Sequence, residues 1–396
     1  MTGVRWLAKL VRNIQNATAE DGVGVGGIAR DLLALNLHNL LGVRAYFQYR
    51  LFDPSIPAEQ KRDYLPDSKW ATDRLWGLLN PVQYRLPFRN KLLFNRVFGG
   101  GGLPVARVLG VYDPKGGHAV EGWNLRDSVE LRQWMRQAPE DGFVFKALWG
   151  IEGFQVLVLA RRAADDPEYF ESLSGDRYNA DRLVEFARNT RDLELRGVLE
   201  PESYLIEERI RPHPALAQLV GPTLCCVRVV TFIGLDGVPH ILGAVYKMQS
   251  KPLGVDHLSY GAVGSWVDLE TGALGKGRTR HEFGYTSVIP GTDRAFVGFK
   301  LPCWPEARDV ALTAATVFPW ARSIGWDIAI ADRGPVLIEG NVEWSTSLLQ
   351  IPAPRGLMTG EFKSLYDTLA ATRRARAGSG AGPALPSPLS RLRRRI

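Results

Sequence analysis

The sequence predicts an α+β protein with largely antiparallel sheets behind a mostly helical N-terminal region. Apolar residues recur at helical spacing early in the chain, as at Ile28, Leu32 and Leu35. Later apolar segments pair around turn residues, of which Asp236-Gly237 is the strongest hairpin signal. Strands and helices mix without the strict βαβ alternation of a doubly wound sheet. At roughly 100–200 residues per domain, the chain should contain two or three packed units.

The first half of the chain is expected to hold the leading helices and the first strands. Prolines 54, 57 and 66 interrupt the chain after the first helices. Asn124 is a suitable N-cap for an amphipathic helix. Two apolar segments joined by a glycine-containing loop predict a pair of strands. The predicted elements are helices at 28–41, 125–137 and 179–190, and strands at 143–148, 154–160 and 203–208.

The second half is expected to hold two hairpins and two helices. Strands at 226–235 and 238–248 flank Asp236-Gly237, and strands at 326–331 and 335–341 form the second hairpin. A mainly apolar helix is predicted at 305–324 and a closing helix at 361–376. The segment 378–390 is rich in Gly, Pro, Ser and Ala and is predicted to be disordered.

The net charge of +7 comes from the C-terminal tail. Residues 373–396 contain seven arginines and no acid, whereas residues 1–372 carry 42 basic and 42 acidic groups. A neutral body gives no support for a nucleic-acid-binding domain, so no nucleic-acid partner is expected. The Arg-rich tail leaves two alternatives open, a solvated tail or a weak contact with an anionic membrane.

Composition and cysteine content predict a cytoplasmic globular protein. Apolar residues make up 45% of the chain and charged residues 23%, which excludes wholesale disorder. No apolar run reaches the length of a membrane span, and the N-terminus lacks the apolar core of a signal peptide. Cys225, Cys226 and Cys303 form neither a disulfide framework nor a zinc motif. The GxGxxG at 22–27 follows a polar segment instead of a strand, which argues against a dinucleotide site.

The second hairpin carries a candidate metal site. With a three-residue loop, 332–334, and Gly334 in a left-handed conformation, Asp327 lies opposite Glu339. Asn341 is two residues beyond Glu339 and therefore shares its face. The other face is expected to be apolar, with Ile328, Ile330, Val336 and Ile338. Oxygen ligands in this number suit Mg²⁺. The alternative is a solvated hairpin face that binds no ion.

Lys146 is a candidate phosphate ligand. It lies in an apolar strand, where a lysine is costly unless its charge has a partner, and a nucleotide phosphate is such a partner. The alternative is a lysine at the strand edge that reaches water. The loop after it contains Gly150 and Gly153, whose backbone N–H groups could cover phosphates.

Taken together, these residues resemble the ATP-grasp superfamily. The ordered set comprises Lys91, Lys146 with its glycine loop, the segment 204–208, Arg228, and then Asp327, Glu339 and Asn341. The segments 204–214 and 325–341 resemble more closely the sugar-transfer-associated ATP-grasp branch, which is related to α-L-glutamate ligases. The resemblance covers roughly residues 85–355, and it extends more weakly into the N-terminal part.

The resemblance implies an ATP-grasp fold, in which two α+β subdomains grip a nucleotide. The expected organisation is a helical N-terminal region at 1–84, an N-terminal ATP-grasp part with the phosphate loop at 85–210, a C-terminal metal-binding part at 211–376, and a disordered basic tail at 377–396.

The resemblance also implies roles for individual residues. Lys91 and Lys146 would approach the nucleotide, with Gly150 and Gly153 in the phosphate loop. The strand from Glu207 to Ile210 would read adenine through backbone groups, and Glu208 or His213 would reach the ribose. Arg228 and Lys247 would be the catalytic cations that face the phosphates or an acyl-phosphate. The implied metal ligands are Asp327, Glu339 and Asn341.

The activity implied is that of an ATP-dependent carboxylate–amine or carboxylate–thiol ligase that uses Mg²⁺, forms an acyl-phosphate and releases ADP and phosphate. Its partners would be ATP and small-molecule carboxylate and amine substrates. By family analogy, the pathway would be the synthesis of a cell-surface glycan or a secondary metabolite. Two alternatives remain, a phosphotransferase that acts on a sugar or alcohol and a non-catalytic binding module.

Overall fold

Six helices open the chain and confirm the predicted helical N-terminal region. The computed structural model describes residues 3–149, 155–189, 202–249, 261–279 and 284–378. The opening helices are α1 (Gly3–Asp21), α2 (Val25–Asn39), α3 (Val43–Gln48), α4 (Lys69–Leu79), α5 (Leu86–Arg89) and α6 (Lys91–Gly100). Short 3₁₀ turns lie at Gln60–Asp63 and Val82–Tyr84. Tyr46, Phe47 and Phe52 are buried in the core of this region, which Ile351 joins from far along the chain.

The first sheet has seven strands, and all its pairings are antiparallel. Its strands are β1 (Val108–Tyr112), β2 (His118–Ala119), β3 (Phe143–Ala147), β4 (Val156–Arg162), β5 (Phe170–Ser172), β6 (Arg177–Tyr178) and β7 (Tyr204–Glu208), in the order β2-β1-β7-β3-β4-β5-β6. Helices α7 (Ser128–Met135) and α8 (Ala180–Arg188) bury their apolar sides against it. The carboxylate of Asp127 caps α7 by accepting from two backbone N–H groups, so the predicted N-cap at Asn124 is wrong.

The second sheet has six strands and is also antiparallel. Its strands are β8 (Cys226–Ile233), β9 (Pro239–Met248), β10 (Val263–Val267), β11 (Leu274–Arg278), β12 (Ser323–Ala331) and β13 (Gly334–Asn341), in the order β11-β10-β9-β8-β12-β13. The accompanying helices are α9 (Pro214–Val220), α10 (Trp304–Val317), α11 (Thr346–Gln350) and α12 (Gly360–Gly378). Both predicted hairpins are present, whereas β10 and β11 are additional strands and α10 ends before the predicted residue 324.

The tip of the second hairpin differs from the sequence prediction. Ala331 pairs with Gly334, so the loop has two residues instead of three, and Gly334 has the expected positive φ of 110°. The ladder then shifts between Ile328↔Leu337 and Asp327↔Glu339. Ile338 is therefore a β-bulge. The pairing of Asp327 with Glu339 is confirmed, but a bulge inside β13 produces it, and not a longer loop.

The two-residue loop and the bulge together change which apolar residues share a face. Leu337, and not Val336 or Ile338, joins Ile328 and Ile330 in the main core under α10. Val336 and Ile338 belong to a smaller cluster on the other side of the sheet, with Ala106, Ile210 and Ala331. The predicted assignment of Val336 and Ile338 to the same face as Ile328 is therefore wrong.

The two sheets meet where β7 ends and the tip of the β12–β13 hairpin begins. Pro212 forms a bridge with Ala331, and Val105 forms a bridge with Leu337. The backbone N–H of Lys91 donates to the carbonyl of Leu148, just beyond β3. These contacts place β3 and β7 of the first sheet beside β12 and β13 of the second.

The domain boundaries at 84/85 and 210/211 stay predictions. Helix α12 continues to Gly378, two residues into the predicted tail, and the rest of that tail lies outside the described residues. In the parts of the chain that the structure describes, none of the helices combines the length and the apolar character that a bilayer span requires.

Candidate active site

The β12–β13 hairpin brings the three predicted metal ligands together. Asp327 lies directly opposite Glu339, and Asn341 lies opposite Gly325. The Asn341 side-chain amide donates to Oε1 of Glu339 at 3.2 Å and to the Gly325 carbonyl at 3.4 Å. Two carboxylates and an amide oxygen therefore share one face at the end of the hairpin, as the sequence predicts.

Two cations from neighbouring strands hold Asp327. Arg228 on β8 is its register partner and donates Nε and Nη2 to the two carboxylate oxygens at 2.7 and 2.8 Å. The Lys247 ammonium on β9 lies 3.2 Å from Oδ1. All three side chains are buried. Burial alone would raise the pKa of Asp327, but Arg228 and then Lys247 hold it well below its ordinary range.

The pKa of Glu339 is shifted upwards, in the opposite direction to that of Asp327. Burial raises the pKa of its carboxyl, and the negative charge of Asp327 raises it further. Lys91 and Arg228 act against these two effects. The pair is therefore an acidic site where a nearby cation would favour ionisation of Glu339.

Lys146 has a partner inside the protein. Its Nζ lies 2.5 Å from Oε2 of Glu207, and both side chains are almost fully buried. The strands β3 and β7 pair at Val144↔Glu207 and Lys146↔Leu205, so both side chains lie on one face. A lysine that reaches water at a strand edge is thus the wrong interpretation. The sequence argument also missed Glu207 as a side-chain partner, because β3 and β7 are far apart along the chain.

Lys91 connects the two sheets electrostatically. It is the first residue of α6, whose N-cap, Asn90, accepts from the backbone N–H of Leu93 at 3.0 Å. Burial lowers the pKa of the Lys91 ammonium to about 8; Glu339 and Glu207 oppose this shift, and Lys146 adds to it. The charges of side chains from both sheets therefore act on the Lys91 ammonium.

The predicted adenine strand and ribose ligands lie next along the chain after Glu207, the partner of Lys146. Ile210 packs with Ala331 and Val336 in the smaller apolar cluster. Glu208 forms an ion pair with Arg333 and accepts from the backbone N–H of Arg107 at 2.9 Å.

His213 lies farther along the same segment and is the N-cap of α9. Its Nδ1 accepts from the backbone N–H of Ala215 at 3.2 Å. The ribose roles of Glu208 and His213 stay predictions, and Gly150 and Gly153 lie outside the described residues.

Gly325 allows Arg228 to reach Asp327. A Cβ at position 325 would lie 2.8 Å from Cβ of Trp344 and 3.0 Å from Cδ of Arg228. Both distances are below ordinary carbon contacts. The sequence contains no local signal for this requirement, because Arg228 and Trp344 come from distant segments.

The site is a largely buried alternation of charges, in which Lys91 and Glu339 are half-buried and the other five charged side chains are buried. Its cations are Lys91, Lys146, Arg228 and Lys247, and its carboxylates are Glu207, Asp327 and Glu339. With every group ionised, one positive charge is in excess. Such a site suits an anionic ligand such as a polyphosphate, since buried charges require partners.

The donor set fits a hard divalent cation. Over the described ranges, no three or more side chains of His, Cys, Asp and Glu come together as metal ligands. Asn341, which lies beside Glu339, would be the third donor with Asp327 and Glu339. All three present oxygen, which Mg²⁺ prefers, and few protein ligands leave positions for water and phosphate.

Several solved structures are similar to parts of this chain at low sequence identity. The biotin carboxylase domain of Hydrogenobacter thermophilus 2-oxoglutarate carboxylase, in complex with MgADP and bicarbonate, is 12% identical over 69% of this chain and 47% of that chain, with a TM-score of 0.36. An L-amino acid ligase from Bacillus licheniformis is 14% identical over 73% and 46%, with a TM-score of 0.36. The D-alanine-D-alanine ligase from Coxiella burnetii is 12% identical over 80% and 72%, with a TM-score of 0.39. The chain thus spans less than half the length of the first two.

No protein with a curated function matches the chain. The family model described as sugar-transfer associated ATP-grasp matches residues 71–364, well over half of the sequence. The matched region contains both sheets and every cation and carboxylate of the site. The chain belongs to the sugar-transfer associated ATP-grasp family.

Proposed function

We propose that the protein is an ATP-dependent carboxylate–amine or carboxylate–thiol ligase that acts through an acyl-phosphate and releases ADP and phosphate. The observation that carries the proposal is the largely buried set of alternating charges, in which the Asp327, Glu339 and Asn341 side chains lie beside cations from three other elements. Membership of an ATP-grasp family supports nucleotide as the ligand of this site.

The proposed reaction has two steps. A carboxylate oxygen of the acid attacks the γ-phosphorus of ATP, and the bond to the β-phosphate oxygen breaks to release ADP. The amine or thiol then attacks the acyl carbon, loses a proton and displaces inorganic phosphate. Neither step requires a nucleophile from the protein, so the work of the chain is to align the reactants and to neutralise spreading charge.

Each charged side chain has a place in this scheme. Lys91 and Lys146 bind the phosphates, and Glu207 keeps Lys146 oriented in the absence of nucleotide. Arg228 and Lys247 form ion pairs with Asp327 in the structure. In the proposed reaction both face the transferred phosphoryl group and the acyl-phosphate. Asp327, Glu339 and Asn341 would hold Mg²⁺, which would offset phosphate charge when bound.

The proposal includes the setting of the reaction. ATP and the two small substrates are the expected partners, and no nucleic acid is involved. The three cysteines, Cys225, Cys226 and Cys303, give no even disulfide framework, which supports a reducing compartment such as the cytoplasm.

A screen of ADP release tests the activity. The purified protein is incubated with MgATP and pooled amino acids, uronic acids, amines and thiols, each alone and in pairs. Ligation requires ADP release that depends on both an acid and an amine or thiol. A carboxylate labelled with heavy oxygen should transfer the label to phosphate, because the attacking oxygen leaves with it.

The same screen separates the two alternatives. A stable phosphorylated sugar or alcohol, formed with no amine or thiol present, would establish a phosphotransferase. ATP-induced stabilisation without turnover in any pool would instead favour a non-catalytic module.

A further inference from the structure

Helix α2 presents leucines on both of its sides. Ile28 and Leu35 are buried in the core of the helical region. On the opposite side, Leu33 is 65% exposed, Leu37 is 78% exposed, and Leu40 at the C-cap is 42% exposed. The spacing of four residues places Leu33 and Leu37 on one stripe of the helix, and Leu40 follows at its C-cap. A helix that is apolar all round normally has cover on both sides.

The exposed stripe continues onto α4. The Ser68 hydroxyl donates to the carbonyl of Leu40 at 2.9 Å, which holds the start of α4 against the end of α2. Trp70, in the first turn of α4, is 61% exposed, and the Arg74 guanidinium stacks over its ring at 5.8 Å. We call the exposed side chains of Leu33, Leu37, Leu40 and Trp70 the leucine–tryptophan surface.

Basic groups surround this surface. The exposed ones on the same elements are Arg30, Arg44, Lys69 and Arg74. Two nearby carboxylates are already engaged, because Asp31 pairs with Lys61 at 2.7 Å and Asp67 lies 3.9 Å from Arg44. Asp73 is an exposed acid on α4. The rim therefore has an excess of positive charge.

Helix α12 adds to the positive rim. Nη1 of Arg373 lies 3.7 Å from the position that a Cβ on Gly77 would occupy, so the basic end of α12 lies against α4. Arg374 and Arg376 follow in the same exposed turns. The Arg-rich end of the sequence leaves the described structure from this side of the molecule.

We propose that the leucine–tryptophan surface binds the face of an anionic lipid bilayer. Leucines entering the acyl boundary, a tryptophan at headgroup level and arginines near lipid phosphates are the features of an interfacial contact. A second copy of the chain fits less well, because a two-fold contact through this patch would bring its basic rims together. The charge complementarity therefore favours lipid, and the inference is independent of the ligase activity.

Vesicle sedimentation of the full chain tests this surface. We expect the wild type to bind phosphatidylcholine vesicles that contain phosphatidylglycerol, and to bind pure phosphatidylcholine weakly. The L33Q/L37Q variant should bind the anionic vesicles at least about tenfold more weakly, because it lacks two leucine side chains that the bilayer would bury. The matched control is L235Q/V238Q, which changes two exposed apolar residues at the β8–β9 turn, outside the leucine–tryptophan surface, and should bind as the wild type does.

Three results would overturn the proposal. The first is absence of wild-type binding to anionic vesicles at low salt. The second is equal binding by L33Q/L37Q with the melting temperature unchanged, and loss of binding only on removal of residues 379–396, which would assign the contact to the tail. The third is a wild-type dimer in light scattering that becomes a monomer in L33Q/L37Q, because the occupant would then be a second copy.

Discussion

Arg228 holds both carboxylate oxygens of Asp327, at 2.7 and 2.8 Å, across adjacent central strands of the six-stranded sheet. In this arrangement a proposed metal ligand and a proposed phosphate ligand satisfy each other's charge. Binding of Mg²⁺ and ATP would replace this ion pair with two others, one between Asp327 and the metal ion and one between Arg228 and a phosphate. The Arg228–Asp327 pair therefore meets the requirement that a buried charge has an opposite charge beside it.

Glu339→Gln should abolish ATP-dependent turnover and leave the fold intact. The amide keeps the shape of the side chain but removes the charge that a cation would need. The free energy of unfolding should not fall, because the variant loses a carboxyl whose pKa burial and Asp327 both raise. ADP release at limiting Mg²⁺ and a thermal melt measure the two effects. Normal turnover under those conditions would remove Glu339 from the metal site; Glu270→Gln, at an exposed position outside the site, is the control.

Lys146→Met should destabilise the protein even without nucleotide. The substitution leaves the Glu207 carboxylate buried without the ammonium that now lies 2.5 Å away. Removing one member of a buried pair costs about 3–5 kcal/mol. The double variant Lys146→Met/Glu207→Gln should recover most of this loss in urea unfolding, and neither variant should show the ATP-induced rise in melting temperature of the wild type. An unchanged ATP response would place the phosphates away from Lys146.

Gly325→Ala should impair both stability and activity. The new Cβ would lie 2.8 Å from Trp344 and 3.0 Å from Arg228, so one of them must move. Overpacking of this kind costs about 1–3 kcal/mol, and a displaced Arg228 should reduce ADP release. Gly100→Ala is the control, because nothing lies within 4 Å of the Cβ position there and the residue ends a helix. Equal stability of the two variants would show that the Gly325 site relaxes without strain.

Glu208→Gln should lower stability at neutral pH but not in acid. Burial raises the pKa of Glu208, yet the hydrogen bond from Arg333 and the N–H of Arg107 lower it overall. A carboxyl with a lowered pKa in the folded state stabilises the protein above its unfolded pKa of about 4.3, and the contribution disappears as the pH falls through the folded value. We expect a difference of about 1 kcal/mol in urea unfolding at neutral pH. A difference that persists in strong acid would assign it to packing.

Local patterns in the sequence predict the hairpin and its acids correctly. Asp327, Glu339 and Asn341 lie within one short hairpin, where the alternation of strand faces is enough to bring them together. The turn at Asp236-Gly237 and the helical N-terminal region are local in the same sense. The route to the correct pairing was nevertheless wrong, because a bulge at Ile338 has no sequence signature comparable to that of a turn.

Contacts between distant segments could not be predicted. Glu207 meets Lys146 only because β7 inserts between β1 and β3, and no periodicity reveals that strand order. The strands β10 and β11 contain glycines at 264, 275 and 277, which weaken a strand signal. Pairing in the assembled sheet determines these two strands, and their own residue preferences contribute little.

Because Ile338 is a bulge, the second hairpin contains one residue more than the pairing of its acids requires. Regular pairing resumes at Asp327↔Glu339 as though Ile338 were absent, while its side chain joins the cluster that contains Ile210 and Val336. In evolutionary terms, a single codon gained or lost here alters the apolar wall beside the acids without moving the acids themselves. Insertion or deletion at this position can therefore reshape the apolar cluster beside the acids, a route that substitution at fixed length does not offer.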